Sequence, residues 1–216
     1  MAAIETISQV LDAAGEVFAE KGFQHATVRE ICARAGVNIA AVNYHFGDKE
    51  RLYVEAVKSA RHVIESNAPM PADMETAEPE VALRVFIHTL AQRLLRDGNS
   101  WRHRLLVQEF MNPSRACEEM MQESICPTME RLHQIIRRML PANAPPHVIR
   151  QLGFSIISQC AYYRLQERVV AMLTPEDEFS THFTPELLAD HITRFCVAAI
   201  RSYELPTSNC QNQVSQ

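Results

Sequence analysis

The sequence predicts an all-α protein, with an N-terminal three-helix helix-turn-helix domain followed by a larger helical domain. Three observations predict it. Apolar residues recur at three- and four-residue spacing through most of the chain, no segment alternates with the period of two expected of a half-buried strand, and glycines, prolines and N-cap residues break the pattern into helix-sized pieces. With 216 residues, 47% of them hydrophobic, the chain can bury a substantial core and does not read as disordered.

The first helix is expected over residues 4–20, where Ile4, Ile7, Leu11, Ala14 and Phe18 share one stripe and Lys21-Gly22 closes it. Thr27 opens a second helix with Glu30 three residues on, a capping-box pattern, and Gly36 ends it. Asn38 caps a third helix reaching His45. Gly47-Asp48 breaks the chain before a fourth helix over 49–67. Residues 68–80 are rich in proline and acid and read as a linker. Further helices are expected over 80–96, 101–111, 116–140 (disturbed near Pro127), 147–173 and 185–204, with a turn at Asp97-Gly98-Asn99-Ser100 and a loop over 175–184. The domains are therefore placed at 1–66 and 80–204, leaving 205–216 as a polar tail expected to be disordered.

Composition excludes several function classes. No run approaches the ~20 apolar residues that span a bilayer, so no membrane association is expected. The start, MAAIETISQVLDAAGEVF, lacks the basic and apolar regions of a signal peptide, which points to the cytosol. The six cysteines form no C-x-x-C pair and read as reduced, mostly buried thiols. The nine histidines show no H-E-x-x-H spacing. No catalytic group, metal site or cofactor site stands out.

Residues 27–45 carry the functional signal: two short helices joined by the tight link Ala35-Gly36-Val37. In helix-turn-helix proteins the second helix of such a pair lies in the DNA major groove; a plain helical hairpin is the alternative on spacing alone. Lys49 bears on the first reading, with a solvated side chain as the competing explanation. A cation in the first turn opposes the helix dipole, but a phosphate beside that helix end would meet both the ammonium and the free N–H groups. Thr27, at another helix start, offers a hydroxyl and N–H groups in the same way.

The stretch ATVREICARAGVNIAAVNYHFGDKERLYVEAV, residues 26–57, closely resembles the tetracycline-repressor (TetR) family of transcription regulators. It has the opening threonine, the A-G-V turn, a short helix ending in Y-H-F, and a turn followed by lysine and leucine, carried by Thr27, Ile31, Ala35, Gly36, Val37, Tyr44, His45, Phe46, Lys49 and Leu52. The resemblance implies a homodimer whose recognition helices enter successive major grooves of a palindromic operator in double-stranded DNA. Carried over by position, it makes Thr27, Tyr44 and Lys49 phosphate contacts. Arg29, Asn38, Ile39, Ala40, Ala41, Asn43 and His45 border or face the groove. Asn43 is suited to bidentate pairing with adenine, and Ala40 or Ala41 to thymine methyls. Cys32, Val37, Val42 and Phe46 are assigned to packing.

Charge is the counter-argument. The net charge is −5, without the basic footprint usual for DNA binders. Residues 1–62 hold seven cations (Lys21, Arg29, Arg34, Lys49, Arg51, Lys58, Arg61) against eight acids (Glu5, Asp12, Glu16, Glu20, Glu30, Asp48, Glu50, Glu55). Arg29, Lys49 and Arg51 are expected near the DNA face, and the acids of the first helix away from it.

The stretch HRLLVQEFMNPSRA, residues 103–116, and the following helix resemble the C-terminal domain of a subfamily called CerR-like or YbiH-like. Apolar and polar groups interleave in this region as in small-molecule pockets. Phe86, Gln108, Phe110, Met111, Met129, His133, Phe154, Ser158 and Tyr162 are the candidate pocket residues for a small organic effector, with ordinary helix-bundle core as the competing explanation for each. The last two long helices are the expected dimer surface, with Leu188, Ile192, Phe195 and Ala199 along one side of the final one. The function expected is a ligand-released transcriptional repressor that is not an enzyme. The alternatives are an activator or ligand-independent regulator of the same family, or a helical small-molecule-binding protein or enzyme.

Overall fold

A computed structural model of the chain describes residues 2–96 and 100–205, the side chains of residues 2–5 excepted. The turn expected at Asp97-Gly98-Asn99 and the tail from Pro206 onward, Cys210 included, lie outside the described residues. All regular structure among the described residues is helical. The helices are α1 (Ala2–His25), α2 (Val28–Ala35), α3 (Ile39–Phe46), α4 (Lys49–Asn67), α5 (Pro79–Leu95), α6 (Trp101–Met111), α7 (Arg115–Met120), α8 (Cys126–Met139), α9 (Pro146–Leu165), α10 (Glu167–Leu173), α11 (Glu176–His182) and α12 (Pro185–Arg201).

The chain divides into two compact units. The first holds residues 1–70, 92–128 and 164–166; the second holds 71–91, 129–163 and 167–216. In the first unit α1, α4 and α6 pack around a shared core in which Phe18, Leu52, Val57 and Leu105 are fully buried. Burying each such side chain contributes about 1.5–3 kcal/mol. Gly15 lets α6 approach α1: a Cβ there would lie 2.0 Å from the Trp101 ring. In the second unit Arg84 of α5 bonds Asp190 of α12, and Arg201 of α12 donates to Glu80 of α5 at 2.6 Å. Gln159 of α9 donates to the Cys196 sulfur of α12 at 3.3 Å.

The structure differs from the sequence reading at five places. Gly22 (φ 73°, ψ 165°) breaks α1 as expected, but one more helical turn reaches His25. The disturbance near Pro127 is a π-turn over Met121–Ile125. Pro127 has no N–H to give the Glu123 carbonyl four residues back, and its ring crowds that turn, so the chain widens before it. The helix expected over 147–173 breaks at Gln166, which no glycine or proline marks. The loop expected at 175–184 contains α11. Glu176, Asp177 and Glu178 favour its N-terminal end and His182 its C-terminal end, while Phe179 stacks on Phe183 at 5.5 Å. The linker is also more ordered than expected: a 3-10 turn over Ala72–Glu75 buries Met74, and the Arg138 guanidinium holds the Met74 carbonyl at 3.0 Å.

Candidate nucleic-acid interface

Local caps build this region. Thr27 is extended, and its Oγ accepts from the Glu30 N–H at 3.2 Å, which starts α2. The reciprocal half of the expected capping box is replaced by an ion pair: the Glu30 carboxylate meets Lys21 at 2.6 Å. Gly36, at φ 67° and ψ 28°, turns the chain in the left-handed region, where a side chain would be strained. Asn38 starts α3 by accepting from the Ala40 N–H at 2.9 Å. Asp48 starts α4 by accepting from the Arg51 N–H at 2.8 Å.

Packing sets which face of α3 points outward. Cys32 and Val42, assigned to packing, are buried between the helices with Ile31, and Val37 and Phe46 are half-buried against the same core. Asn38, Ile39, Ala40, Asn43, Tyr44 and His45 are exposed, Tyr44 at 85% and Ile39 at 47%, while Ala41 is half-buried. Thr27 and Arg29 are exposed at the start of α2. Among the described residues Arg29 makes no ion pair or hydrogen bond. The ten residues singled out for DNA therefore lie on α2, α3, the α4 N-terminus and their caps.

Lys49 has partners of its own. Its ammonium donates to the Gln24 carbonyl at 3.3 Å and lies 4.6 Å from the centroid of the Phe23 ring. Gln24 is in the last turn of α1. The cation that opposes the α4 dipole is thus met by a carbonyl of the turn beyond the Gly22 break and by an aromatic face, and two of its three N–H donors remain.

The other cations of the N-terminal helices are taken up by acids. Arg34 forms a bidentate pair with Glu20, both bonds 2.9 Å, which holds the Glu20 carboxyl below the usual range. Lys58 pairs with Glu123 at 2.7 Å, and Arg61 with Glu65 at 2.7 Å. Arg51, expected near the DNA face, is committed to Glu55 at 2.8 Å and Glu119 at 3.5 Å instead. On the first helix, Asp12 is held by Arg102 at 2.7 Å, and Glu16 and Glu20 by Arg34. The side chain of Glu5 is outside the described residues.

The expected effector residues do not gather in this way. Phe86 is wholly buried in core. Gln108 donates to the Ala19 carbonyl of α1 at 3.0 Å. Phe110, Met111, Phe154, Ser158 and Tyr162 are exposed. Met129 and His133 do meet, against Gly153 of α9, where a Cβ would lie 3.0 Å from His133 Nε2. That nitrogen is buried and makes no hydrogen bond. Clefts among the described residues include one of about 550 Å3 beside Arg131 and Arg138, one of about 530 Å3 beside Phe23 and Tyr53, and one of about 430 Å3 beside Lys58 and His62. Gln108 lines the second, and none of the other eight lines any of the three.

On α12 the faces separate. Leu188, Ile192 and Cys196 face the core, while Leu187, Phe195 and Ala199 are exposed, so the expected stripe of Leu188, Ile192, Phe195 and Ala199 is split between two faces. Cys32, Cys117, Cys160 and Cys196 are buried free thiols and Cys126 is an exposed one. Burial pushes Cys160 up to about 12 and Cys196 to about 11. Among the described residues no three histidine, cysteine or carboxylate side chains gather as metal ligands, and no helix is long and apolar enough to cross a membrane.

Sequential helices with a capped, outward-facing second helix define a helix-turn-helix DNA-binding protein. Residues 10–56 match the family model for bacterial regulatory proteins of the tetR family, and residues 79–200 match the C-terminal domain of the HTH-type transcriptional dual regulator CecR. The chain belongs to the TetR family of transcriptional regulators, with a CecR-type C-terminal domain; members of this family are not enzymes. The C-terminal resemblance expected from residues 103–116 and the helix after them falls within this matched segment and is borne out. The CecR dual regulator of Shigella flexneri is 27% identical over 195 residues, 86% of either chain. The transcriptional repressor NicS of Pseudomonas putida is 31% identical over 84 residues, 38% of either chain. A putative fatty acid metabolism regulator of Clostridium perfringens superposes with a TM-score of 0.65 at 18% identity, covering 88% of this chain and 97% of its own.

Proposed function

We propose that this protein is a homodimeric transcriptional repressor that binds a palindromic operator through α3 and is released by a small organic effector. The observation that carries the DNA reading is the solvent-facing side of α3, bracketed by Thr27 and Lys49 at two helix starts. Helix N-termini with a hydroxyl or an ammonium are suited to phosphates, and Asn43 is suited to an adenine edge. Few cations are free, so phosphate contacts are few and affinity depends on two half-sites held in one dimer. The exposed apolar side chains of α9 and α12, Phe154 at 59% and Phe195 at 57% among them, support a dimer through those helices. An effector acts by binding the state whose recognition helices are misplaced for DNA better than the DNA-competent one, and only to the extent of that difference.

Repression is the role named for the NicS relative and a dual role the one named for the CecR relative, and one experiment separates them. Reporter transcription from the protein's own upstream DNA, with and without the intact gene, does so. Repression predicts higher output without the gene. Lower output would make the protein an activator, and an unchanged output with no specific binding in a mobility-shift assay would remove the operator reading.

A further inference from the structure

We propose that Glu109 and Tyr53 are positioning residues for Lys49, through which the turn between α6 and α7 acts on DNA affinity. The inference rests on the reading of Lys49 as a phosphate contact.

Glu109, in the last turn of α6, is 0% exposed. Its carboxylate accepts four hydrogen bonds. One oxygen takes the Ser114 N–H at 2.7 Å, the Ser114 hydroxyl at 2.8 Å and the Cys117 N–H at 3.0 Å. The other takes the Tyr53 hydroxyl at 2.6 Å. A buried carboxylate is tolerated only when its oxygens are satisfied, so the backbone donors of Ser114, in the α6–α7 turn, and Cys117, in the first turn of α7, fix where it sits. Its position in turn fixes the phenol of Tyr53 on α4.

The Tyr53 ring meets Phe18 edge-on at 4.9 Å and Phe23 at 5.2 Å. Phe23 is the ring under the Lys49 ammonium, and the next residue, Gln24, supplies the carbonyl that ammonium holds. A continuous chain of contacts therefore runs from the α6–α7 turn to the cation at the start of α4. Its first member lies in the segment matched to the CecR C-terminal domain, and Tyr53 and Lys49 lie in the segment matched to the tetR-family model. A turn that withdrew its N–H groups would release Glu109, free the Tyr53 ring and unseat Lys49.

The alternative is that the Tyr53–Glu109 bond only stabilises the fold. Fluorescence anisotropy on a duplex carrying the upstream or library-selected operator separates the two. The full-length wild type, Tyr53→Phe, Lys49→Ala and the double variant are titrated across salt, with folded fraction and dimer state checked for each. Positioning predicts that Tyr53→Phe weakens binding by about tenfold and flattens its salt dependence. It should add little in the Lys49→Ala background, because residues acting through one contact chain are not additive. Unchanged affinity of the folded Tyr53→Phe dimer, additive effects, or a Lys49→Ala variant that binds like wild type would each overturn the inference. If Tyr53→Phe does not fold, Glu109→Gln, which keeps the shape and one acceptor oxygen, replaces it in the same cycle. A wild type that binds no duplex even at low salt would instead overturn the operator reading itself.

Discussion

Lys49 occupies a position that looks unfavourable from sequence and is not. Its ammonium lies beside a carbonyl at the end of α1 and over an aromatic face, so the local field is negative before any DNA arrives. Thr27 has a similar double use, since its hydroxyl caps α2 and stays at the surface. Thr27→Ala should cost about 1 kcal/mol of stability through the lost cap. It should also weaken operator binding beyond the loss of folded protein, as read by parallel urea and DNA titrations. Tyr53 gives a pH signature. Burial first, then Glu109, raises its phenol above the ordinary value of 10.0. The folded state thus keeps a proton that the unfolded chain releases, so this contribution is complete below about pH 10 and declines above it. Tyr53→Phe should flatten the fall of Tm between pH 9 and the alkaline limit, measured by thermal melts. Among the thiols, Cys126 should react with a maleimide in the native protein, while Cys160 and Cys196 stay protected until denaturant is added, as mass spectrometry would read.

At the level of elements, what was legible in the sequence is what is local. Thr27, Asn38 and Asp48 each cap their helix through one bond two or three residues away, so α2, α3 and the start of α4 could be placed from short patterns. Cys32 and Val42, assigned to packing beside the family resemblance, are buried. Glu109 was missed because its phenol partner is 56 residues away, and a glutamate in a helix pattern reads as solvated surface. Arg51 was misplaced for the same reason, since Glu119 comes from another helix. Residue type is the sequence signal for the effector residues, and type does not separate Phe86 in the core from Phe110 at the surface. Gly15 gave no signal either, because its role is the close approach of Trp101. Gly15→Ala should displace that ring and destabilise the α1–α6 packing by about 1–3 kcal/mol, seen in equilibrium denaturation.

At the scale of the whole molecule, a chain with net charge −5 binds a polyanion only if its few free cations are well placed and doubled by symmetry. An exposed apolar residue on α12 should therefore matter to DNA binding from a distance. Phe195→Asp is expected to yield a folded monomer by light scattering and to lose operator affinity with it. The account's central claim, that α3 and the start of α4 face DNA, is tested most directly by the salt dependence of operator binding with and without Lys49→Ala. The proposed homodimer would present this lysine twice, so the variant should bind more weakly and its log–log salt slope should shrink by roughly two units. An operator bound with unchanged affinity and unchanged slope by Lys49→Ala would contradict the account.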